Sequence, residues 1–470
     1  MINSYQDTIV APATTPGTGA ISIVRISGPE AFPITDQVVK LANRTVADAP
    51  GYTIHFGEVP GLDDVLVSVF RAPHSYTGED SVEISTHASA YIINQLVALL
   101  LKAGARFAEP GEFTRRAFLN GKMDLAQAEA VADVIASSTA AAHRVAMNQL
   151  KGGFSKELAG LRSELLEMAS LLELELDFSE EDVEFANRDQ LMGLLKTTQQ
   201  HVDRLAASFH QGNLIKNGVP VAIVGPANAG KSTLLNALLG EERAIVTDIP
   251  GTTRDTLEET LNIDGILFRF IDTAGIRESQ DTVEKLGIER SFQSISKAEI
   301  VLVMLDATQP VDELETELQN LCSKLDLSRQ KGFLLLNKND KLDAESCNKK
   351  VIVLNNFVTS HNYQLIITEI SAKNEEGVQE LKTALFQAEK DLIPNEDACF
   401  VTNARHFEAL QNASVALETC RTSLSRGIPT DLVSEDLRRA LASINAILGT
   451  DLLDPEEILH NIFQNHCIGK

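Results

Sequence analysis

Residues 225–232 read Gly-Pro-Ala-Asn-Ala-Gly-Lys-Ser, the spacing G-x-x-x-x-G-K-[ST]. Glycines let backbone N–H groups curl around phosphate, the lysine brings charge to the β and γ positions, and the serine hydroxyl suits Mg²⁺. The candidate contacts are Asn228, Ala229, Gly230, Lys231, Ser232 and Thr233. A strand-like run, Val221–Val224, precedes them and a helix-like run, Leu234–Leu239, follows. A helix N-terminus adds partial positive charge where phosphates would sit. Further parts follow in order. Gly251-Thr252-Thr253-Arg254-Asp255 offers a threonine hydroxyl, Thr253, to the same metal. In Asp272-Thr273-Ala274-Gly275 the aspartate can reach the metal through water, and Gly275 can donate its N–H to a γ-phosphate. In Asn337-Lys338-Asn339-Asp340 the Asp340 carboxylate can accept the N1 and N2 hydrogens of guanine, a donor pair that adenine lacks. Ser371-Ala372-Lys373 offers a backbone N–H to guanine O6. Five ordered parts imply a GTP-hydrolysing unit, with Asp340 setting the base.

A Ras-like GTPase places Gln after Asp-Thr-Ala-Gly to orient water. Here that residue is Ile276, followed by Arg277, Glu278, Asp281, Glu284, Glu289 and Arg290. Two arrangements remain open: a downstream carboxylate acting through water, or a cation in place of an arginine finger.

The elements that must hold these residues can be read from periodicity. Leu267–Ile271, Ile300–Leu305, Phe333–Leu336 and Leu365–Ile370 alternate with helical segments, the pattern of a parallel sheet in βα units. Upstream, Ile21–Ile26, Val65–Phe70 and Val82–Ile84 alternate with Gly/Pro punctuation around one helical stretch, Ile92–Ala103. Composition turns helical near Met123, with an apolar stripe at Leu165, Leu166, Met168, Leu171 and Leu172. The acidic run Asp177, Glu180, Glu181, Asp182 and Glu184 reads as a solvated break between two helices. The helical pattern resumes after Pro394. The expected fold is therefore multidomain α/β. An N-terminal α+β domain spans 1–121, and helical segments 122–216 and 387–470 form one discontinuous domain. A P-loop, Ras-like parallel-sheet domain is inserted over 217–386.

The chain has 470 residues, 44% of them apolar, which suits roughly three domains. Lys and Arg total 41 against 66 Asp and Glu, giving a net charge of −25 spread over every segment. That excludes a non-specific grip on nucleic acid and a polybasic membrane anchor. The five cysteines, Cys322, Cys347, Cys399, Cys420 and Cys467, form no CxxC pair. Neither a disulfide framework nor a cysteine zinc site is expected. No signal pattern or membrane-length apolar run is present, so a cytoplasmic location is expected.

The Gly-Thr-Thr-Arg-Asp block resembles potassium-dependent, translation-factor-related GTPases. Four further blocks narrow the likeness: residues 7–17 (Asp-Thr-Ile-Val-Ala-Pro-Ala-Thr-Thr-Pro-Gly), 75–80 (Ser-Tyr-Thr-Gly-Glu-Asp), 110–125 (Pro-Gly-Glu-Phe-Thr-Arg-Arg-Ala-Phe-Leu-Asn-Gly-Lys-Met-Asp-Leu) and 467–470 (Cys-Ile-Gly-Lys). Together they resemble the MnmE (TrmE) family of tRNA-modification GTPases over the whole chain.

The resemblance implies an N-terminal domain that binds folate and dimerises, a helical domain of two chain segments, and an inserted G domain. It implies a homodimer working with the flavoprotein MnmG, in a heterotetramer or larger complex. Together they place an aminomethyl or carboxymethylaminomethyl group on C5 of the tRNA wobble uridine. The one-carbon donor is a 5-formyl- or methylene-tetrahydrofolate. The matching folate positions are Arg25, Glu83, Lys122 and Lys470. A K⁺ site matches Asn228, Thr247, Ile249 and Thr252, within a nucleotide-contacting run that also includes Asp248, Pro250 and Gly251. The family's water-orienting glutamate matches Glu284, and its essential cysteine matches Cys467. Two departures stand out: Gly-Pro-Ala-Asn in the phosphate loop, and His87-Ala88-Ser89 where the family has His-Gly-Gly. The alternative function is a GTP-switch assembly factor whose flanking domains only bind partners. For a chain this acidic, tRNA phosphates would be held by MnmG or by a local cluster such as Lys102, Arg106, Arg115, Arg116 and Lys122.

Overall fold

The computed structural model describes residues 7–177, 188–240, 258–271, 295–395, 398–450 and Gly469. The chain begins with β1 (Ile9–Pro12), β2 (Gly19–Ser27), α1 (Ala31–Val38), β3 (Lys40–Leu41), β4 (Thr53–Val59) and β5 (Asp63–Phe70). It continues through β6 (Ser81–Ala88), α2 (Ala90–Lys102), β7 (Arg106–Phe107) and α3 (Glu112–Leu119). Five helices follow: α4 (Leu125–Ala136), α5 (Ala140–Leu150), α6 (Gly153–Asp177), α7 (Arg188–Ala207) and α8 (Phe209–Asn217). Then come β8 (Val219–Val224), α9 (Lys231–Leu239), β9 (Glu259–Ile263), β10 (Ile266–Phe270), β11 (Ile300–Asp306) and α10 (Val311–Cys322). After β12 (Lys331–Asn337), α11 (Ala344–Ser360), β13 (Leu365–Glu369) and α12 (Val378–Glu389), helices α13 (Ala404–Ser425) and α14 (Thr430–Leu448) follow. Two compact units result. One combines residues 1–136, 146–207 and 404–470, and the other combines 137–145 and 208–403.

In the first unit seven strands form one sheet in the order β3-β4-β5-β6-β2-β1-β7. Every pairing is antiparallel except β1 with β7. Along β5, Val65, Val67 and Val69 point to the core and Leu66 to the other face, the period of two that a half-covered strand requires. The core face packs with Phe32 and Ile34 of α1 and Leu96 and Leu100 of α2. The sequence pattern marked α2 but not α1, a helix of eight residues with Pro33 inside its first turn. Proline there costs no helix hydrogen bond.

The same unit holds a four-helix arrangement in which α6 packs on α7 and α14, and α13 on α7 and α14. Heptad spacing is the reason. Buried positions run Leu158, Leu161, Leu165, Met168, Leu172 on α6 and Val433, Leu437, Ala440, Ile444, Ile447 on α14. Steps of three and four keep one seam facing the partners. The expected stripe is corrected here: Leu166 is 37% exposed, and the seam runs through Leu158 and Leu161 instead. The acidic break after Asp177 lies outside the described residues.

In the second unit six strands run β13-β12-β11-β8-β10-β9, parallel except for β9 against β10. Both faces of the central strands β8, β11 and β12 are covered, so these read as continuous apolar runs rather than alternating ones. Leu302, Met304, Phe333 and Leu335 face α9 and α12, while Val301, Val303, Leu334 and Leu336 face α10 and α11. In such sheets ligands bind beyond the carboxyl ends of the strands. That edge carries 225–230 after β8 and 338–340 after β12, and residues 371–373 lie just past the end of β13.

Candidate functional site

The loop from β8 to α9 is shaped by glycines where nothing larger fits. A Cβ on Gly225 would lie 2.2 Å from the Met304 carbonyl oxygen. Gly230 has φ +103°, and a Cβ there would lie 2.3 Å from Asn337 Nδ2. Asn228 also adopts a left-handed conformation, φ 63°. Asn337 is 3% exposed and joins three loops. Its Nδ2 donates to the Ala229 carbonyl at 2.7 Å, and its Oδ1 accepts from the Ala372 N–H at 2.9 Å. Ser371 Oγ donates to Asp340 Oδ1 at 2.7 Å, holding one carboxylate oxygen in place. Lys231 Nζ donates to the Gly225 and Pro226 carbonyls at 2.7 and 2.8 Å. Burial pushes this amine below the usual lysine range. Lys338 Nζ donates to Asp306 Oδ2 at 2.6 Å.

These loops enclose a cavity of about 370 Å³ lined by Asn228, Lys231, Ser232, Lys338, Asp340 and Lys373, among others. Its donors are suited to a nucleotide: cations and backbone N–H groups for phosphate at one end, a carboxylate at the other. The hydroxyl of Ser232 and the amide oxygen of Asn228 are hard donors of the kind that Mg²⁺ and K⁺ take. The remaining expected parts of this site, Thr247 to Thr253, Asp272 to Gly275 and Glu284, lie outside the described residues. Among the described residues no group of three or more His, Cys, Asp or Glu could hold a metal ion by itself.

On the N-terminal sheet, Arg25 of β2 and Glu83 of β6 are register partners. Arg25 Nε and Nη2 donate to Glu83 Oε1 at 3.0 and 2.7 Å. Arg25 Nη1 donates to the Gly469 carbonyl at 3.2 Å, across 444 positions of sequence. Gly469 has φ +99°, and a Cβ there would lie 2.1 Å from the Pro12 carbonyl oxygen, so only glycine seats the chain here. The Arg25 guanidinium lies 5.2 Å from the Tyr76 ring centre and 5.6 Å from that of Phe113. Among the described residues three of its five N–H groups find partners, which leaves two for an anionic ligand. Lys122 Nζ donates to the Pro73 carbonyl at 2.9 Å and stays exposed. Lys470 and Cys467 lie outside the described residues. The His87-Ala88-Ser89 departure is absorbed locally. Ala88 pairs with Gly19 at the end of β6, and His87 bonds Asp63 through its backbone N–H and Nδ1.

The expected basic cluster is corrected at its three arginines, while Lys102 and Lys122 stay exposed. Arg116 is fully buried and bonds Asp7, Glu79 and Glu112. Arg106 bonds Asp7 and Glu112, and Arg115 bonds Glu109. These cations are spent on carboxylates within their own domain rather than presented to phosphate. Burial would raise the Glu112 carboxyl, but hydrogen bonds from Arg106, the Glu109 N–H and Arg116 outweigh it and hold it below its ordinary range. Sequence reading also missed Tyr76 and Phe113 as the covers of Arg25, and Asp306 as the partner of Lys338. Asp306 carried a signal: it is the one charge closing an otherwise continuous apolar strand.

Family models match two stretches of the chain: the "MnmE helical domain" over residues 125–467 and the "GTP-binding protein TrmE N-terminus" over residues 8–122. Three relatives each carry the name tRNA modification GTPase MnmE. The one from Bacteroides thetaiotaomicron is 50% identical over 99% of this chain and 100% of its own length. The relative from Parabacteroides distasonis is 46% identical over 99% and 100%. That from Flavobacterium johnsoniae is 48% identical over 100% of both chains.

Proposed function

Because the chain belongs to the MnmE family of tRNA modification GTPases, we propose that it couples GTP hydrolysis to building a substituent on C5 of the tRNA wobble uridine. In this reading it acts as a cytoplasmic homodimer with the flavoprotein MnmG. Residues 1–121 form the folate domain, 122–216 with 387–470 the helical domain, and 217–386 the G domain. The observation that carries the modification role is the meeting of Arg25, Glu83 and Gly469 on one sheet.

At the nucleotide, Lys231 faces the β and γ phosphates, and Asp340, steadied by Ser371, accepts the guanine N1 and N2 hydrogens. The Ala372 N–H and Lys373 lie at the O6 edge. Ser232 and Thr253 would hold Mg²⁺, which supplies Lewis acidity to the phosphates. Asn228, with oxygens from Thr247, Ile249 and Thr252, would hold K⁺, which supplies the positive charge of an arginine finger. Glu284 orients the attacking water. At the folate, Glu83 with Arg25 bonded beside it would meet the amino-pyrimidine end, and Lys122 and Lys470 would receive the glutamyl carboxylates; the cofactor supplies a one-carbon unit. Cys467 serves as a nearby acid or nucleophile.

The exposed apolar residues Ile54, Phe56 and Leu66, 68%, 59% and 49% accessible on the outer face of β4 and β5, support self-association. Among the described residues no helix is long and apolar enough to cross a membrane. Titration with 5-formyltetrahydrofolate tests the reading. Wild type should bind and Arg25→Ala should not; absence of wild-type binding, or undiminished binding by the variant, would sink it. Mass spectrometry of wobble uridine from cells lacking the protein should show the C5 substituent missing.

A further inference from the structure

We propose that Asp306 is a positioning residue for nucleotide binding, its carboxylate fixing the Lys338 side chain as a wall of the pocket. Asp306 closes β11 and is the parallel register partner of Asn337 on β12. The next residue, Ala307, donates its N–H to the Asn337 carbonyl at 2.8 Å, so the two strand ends are tied. Lys338 then turns into the left-handed region, φ 68°, which is uncommon for a residue with a side chain. Its Nζ meets Asp306 Oδ2 at 2.6 Å.

The other carboxylate oxygen is engaged as well. Asp306 Oδ1 accepts from the Thr308 N–H at 3.0 Å and from Thr308 Oγ1 at 2.7 Å. The turn beyond it is held by Lys350, whose Nζ donates to the Ala307 and Gln309 carbonyls, each at 2.6 Å. The carboxylate is therefore a fixed anchor and not a mobile surface charge. Lys338 and Asp306 side chains are 25% and 18% exposed.

Lys338 lines the cavity together with Asp340, Lys341 and Lys373, whereas Asp306 stands behind it. A lysine free to rotate would lose rotamer entropy on closing against a ligand. Held in advance, it has paid that cost at folding, so more of the contact energy appears as affinity. Parking the ammonium on Asp306 also turns the four-carbon stem into an apolar surface for a flat base.

The inference rests on the guanine-site reading above, and the experiment separates the two. GDP binding to the full chain is measured by calorimetry for Asp306→Ala, Asp306→Asn, Lys338→Met and Asp306→Ala/Lys338→Met, with inorganic tripolyphosphate as a base-free probe. Asp306→Ala should weaken GDP about tenfold and tripolyphosphate by less than about twofold. The double variant should bind GDP no more weakly than Lys338→Met alone, because Asp306 acts only through that lysine. Asp306→Asn keeps an oxygen for Thr308 and so the turn, and it should still lose GDP affinity. Additive losses in the double variant, an equal loss for tripolyphosphate, or unchanged GDP affinity in both Asp306 variants would overturn the proposal. If Lys338→Met leaves GDP binding intact, this inference fails while the guanine-site reading stands; if Asp340→Ala leaves GDP binding intact, the guanine-site reading itself fails.

Discussion

The nucleotide pocket and the N-terminal sheet are both built from sequence blocks rich in glycine and charge, yet they use them in opposite ways. In the pocket the blocks are contiguous strand–loop–helix units. Glycines bring the backbone close, one asparagine staples three loops, and Asn228, Lys231 and Asp340 are left lining a cavity. On the N-terminal sheet most charges of the blocks are consumed among themselves. Asp7, Glu79, Glu112 and Arg116 come from three separate blocks and form one network around the buried Arg116 and Glu112. Arg25, Glu83 and Lys122 remain near a surface, as does the half-exposed Asp7–Arg106 pair. A motif can thus be a ligand-binding device or an internal fastener, and its composition does not tell which.

The comparison can be broken most sharply at Gly230. Gly230→Ala should cost at least ~100-fold in GDP affinity, about 3 kcal/mol, since a methyl would collide with Asn337 at a backbone angle alanine resists. Folate binding should be untouched. A loss of less than about threefold by calorimetry would show the staple to be soft.

Arg116→Ala is the converse. It removes a fully buried guanidinium, leaves the buried Glu112 with Arg106 as its close partner, and should destabilise the first unit by ~2–3 kcal/mol. A thermal melt should show it, while GDP affinity stays within about twofold. A melt unchanged from wild type would return Arg116 to the surface-charge class.

The smallest effect sharpens the picture by adding the helical arrangement to the fastener class. Glu129 on α4 receives Arg405 Nε at 2.9 Å, and its other oxygen lies 2.6 Å from His406 Nε2. Burial would raise this carboxyl, but His406 and Arg405 hold it down to about 2. A depressed folded-state pKa stabilises above the unfolded value near 4.5 and is lost as pH falls towards 2. Denaturation from pH 5 down to pH 3 should show stability falling with acid in wild type. The slope should be shallower in Glu129→Gln, and equal slopes would remove Glu129 from the acid response.

How much of this was legible in the sequence follows the same division. Strands β8, β11 and β12 fall where apolar runs placed them, because both of their faces are buried and no alternation confuses the pattern; β13, a half-exposed edge strand, also falls on its apolar run. The phosphate loop and Asp340 were legible because local backbone geometry sets them. The Arg106–Arg116 cluster was misread because sequence shows neither that Glu109 and Glu112 fold back onto these arginines nor that Asp7 and Glu79 reach them from 37 to 109 positions away. The Leu166 error was one of helix phase, which only the facing helices fix.

The four-helix arrangement carries a consequence for how the chain is made. Helices α6 and α7 leave the ribosome before residues 208–403, and α13 and α14 after them. At ribosomal speed that interval is roughly 10–40 s. Throughout it, the seam of Leu158, Leu161, Leu165, Met168 and Leu172 lacks its partners on α14. The parallel-sheet unit can finish folding first, on its own contacts. The growing chain therefore displays a sticky, half-built helix pair for tens of seconds, a long opening for a chaperone and a hazard when translation stalls.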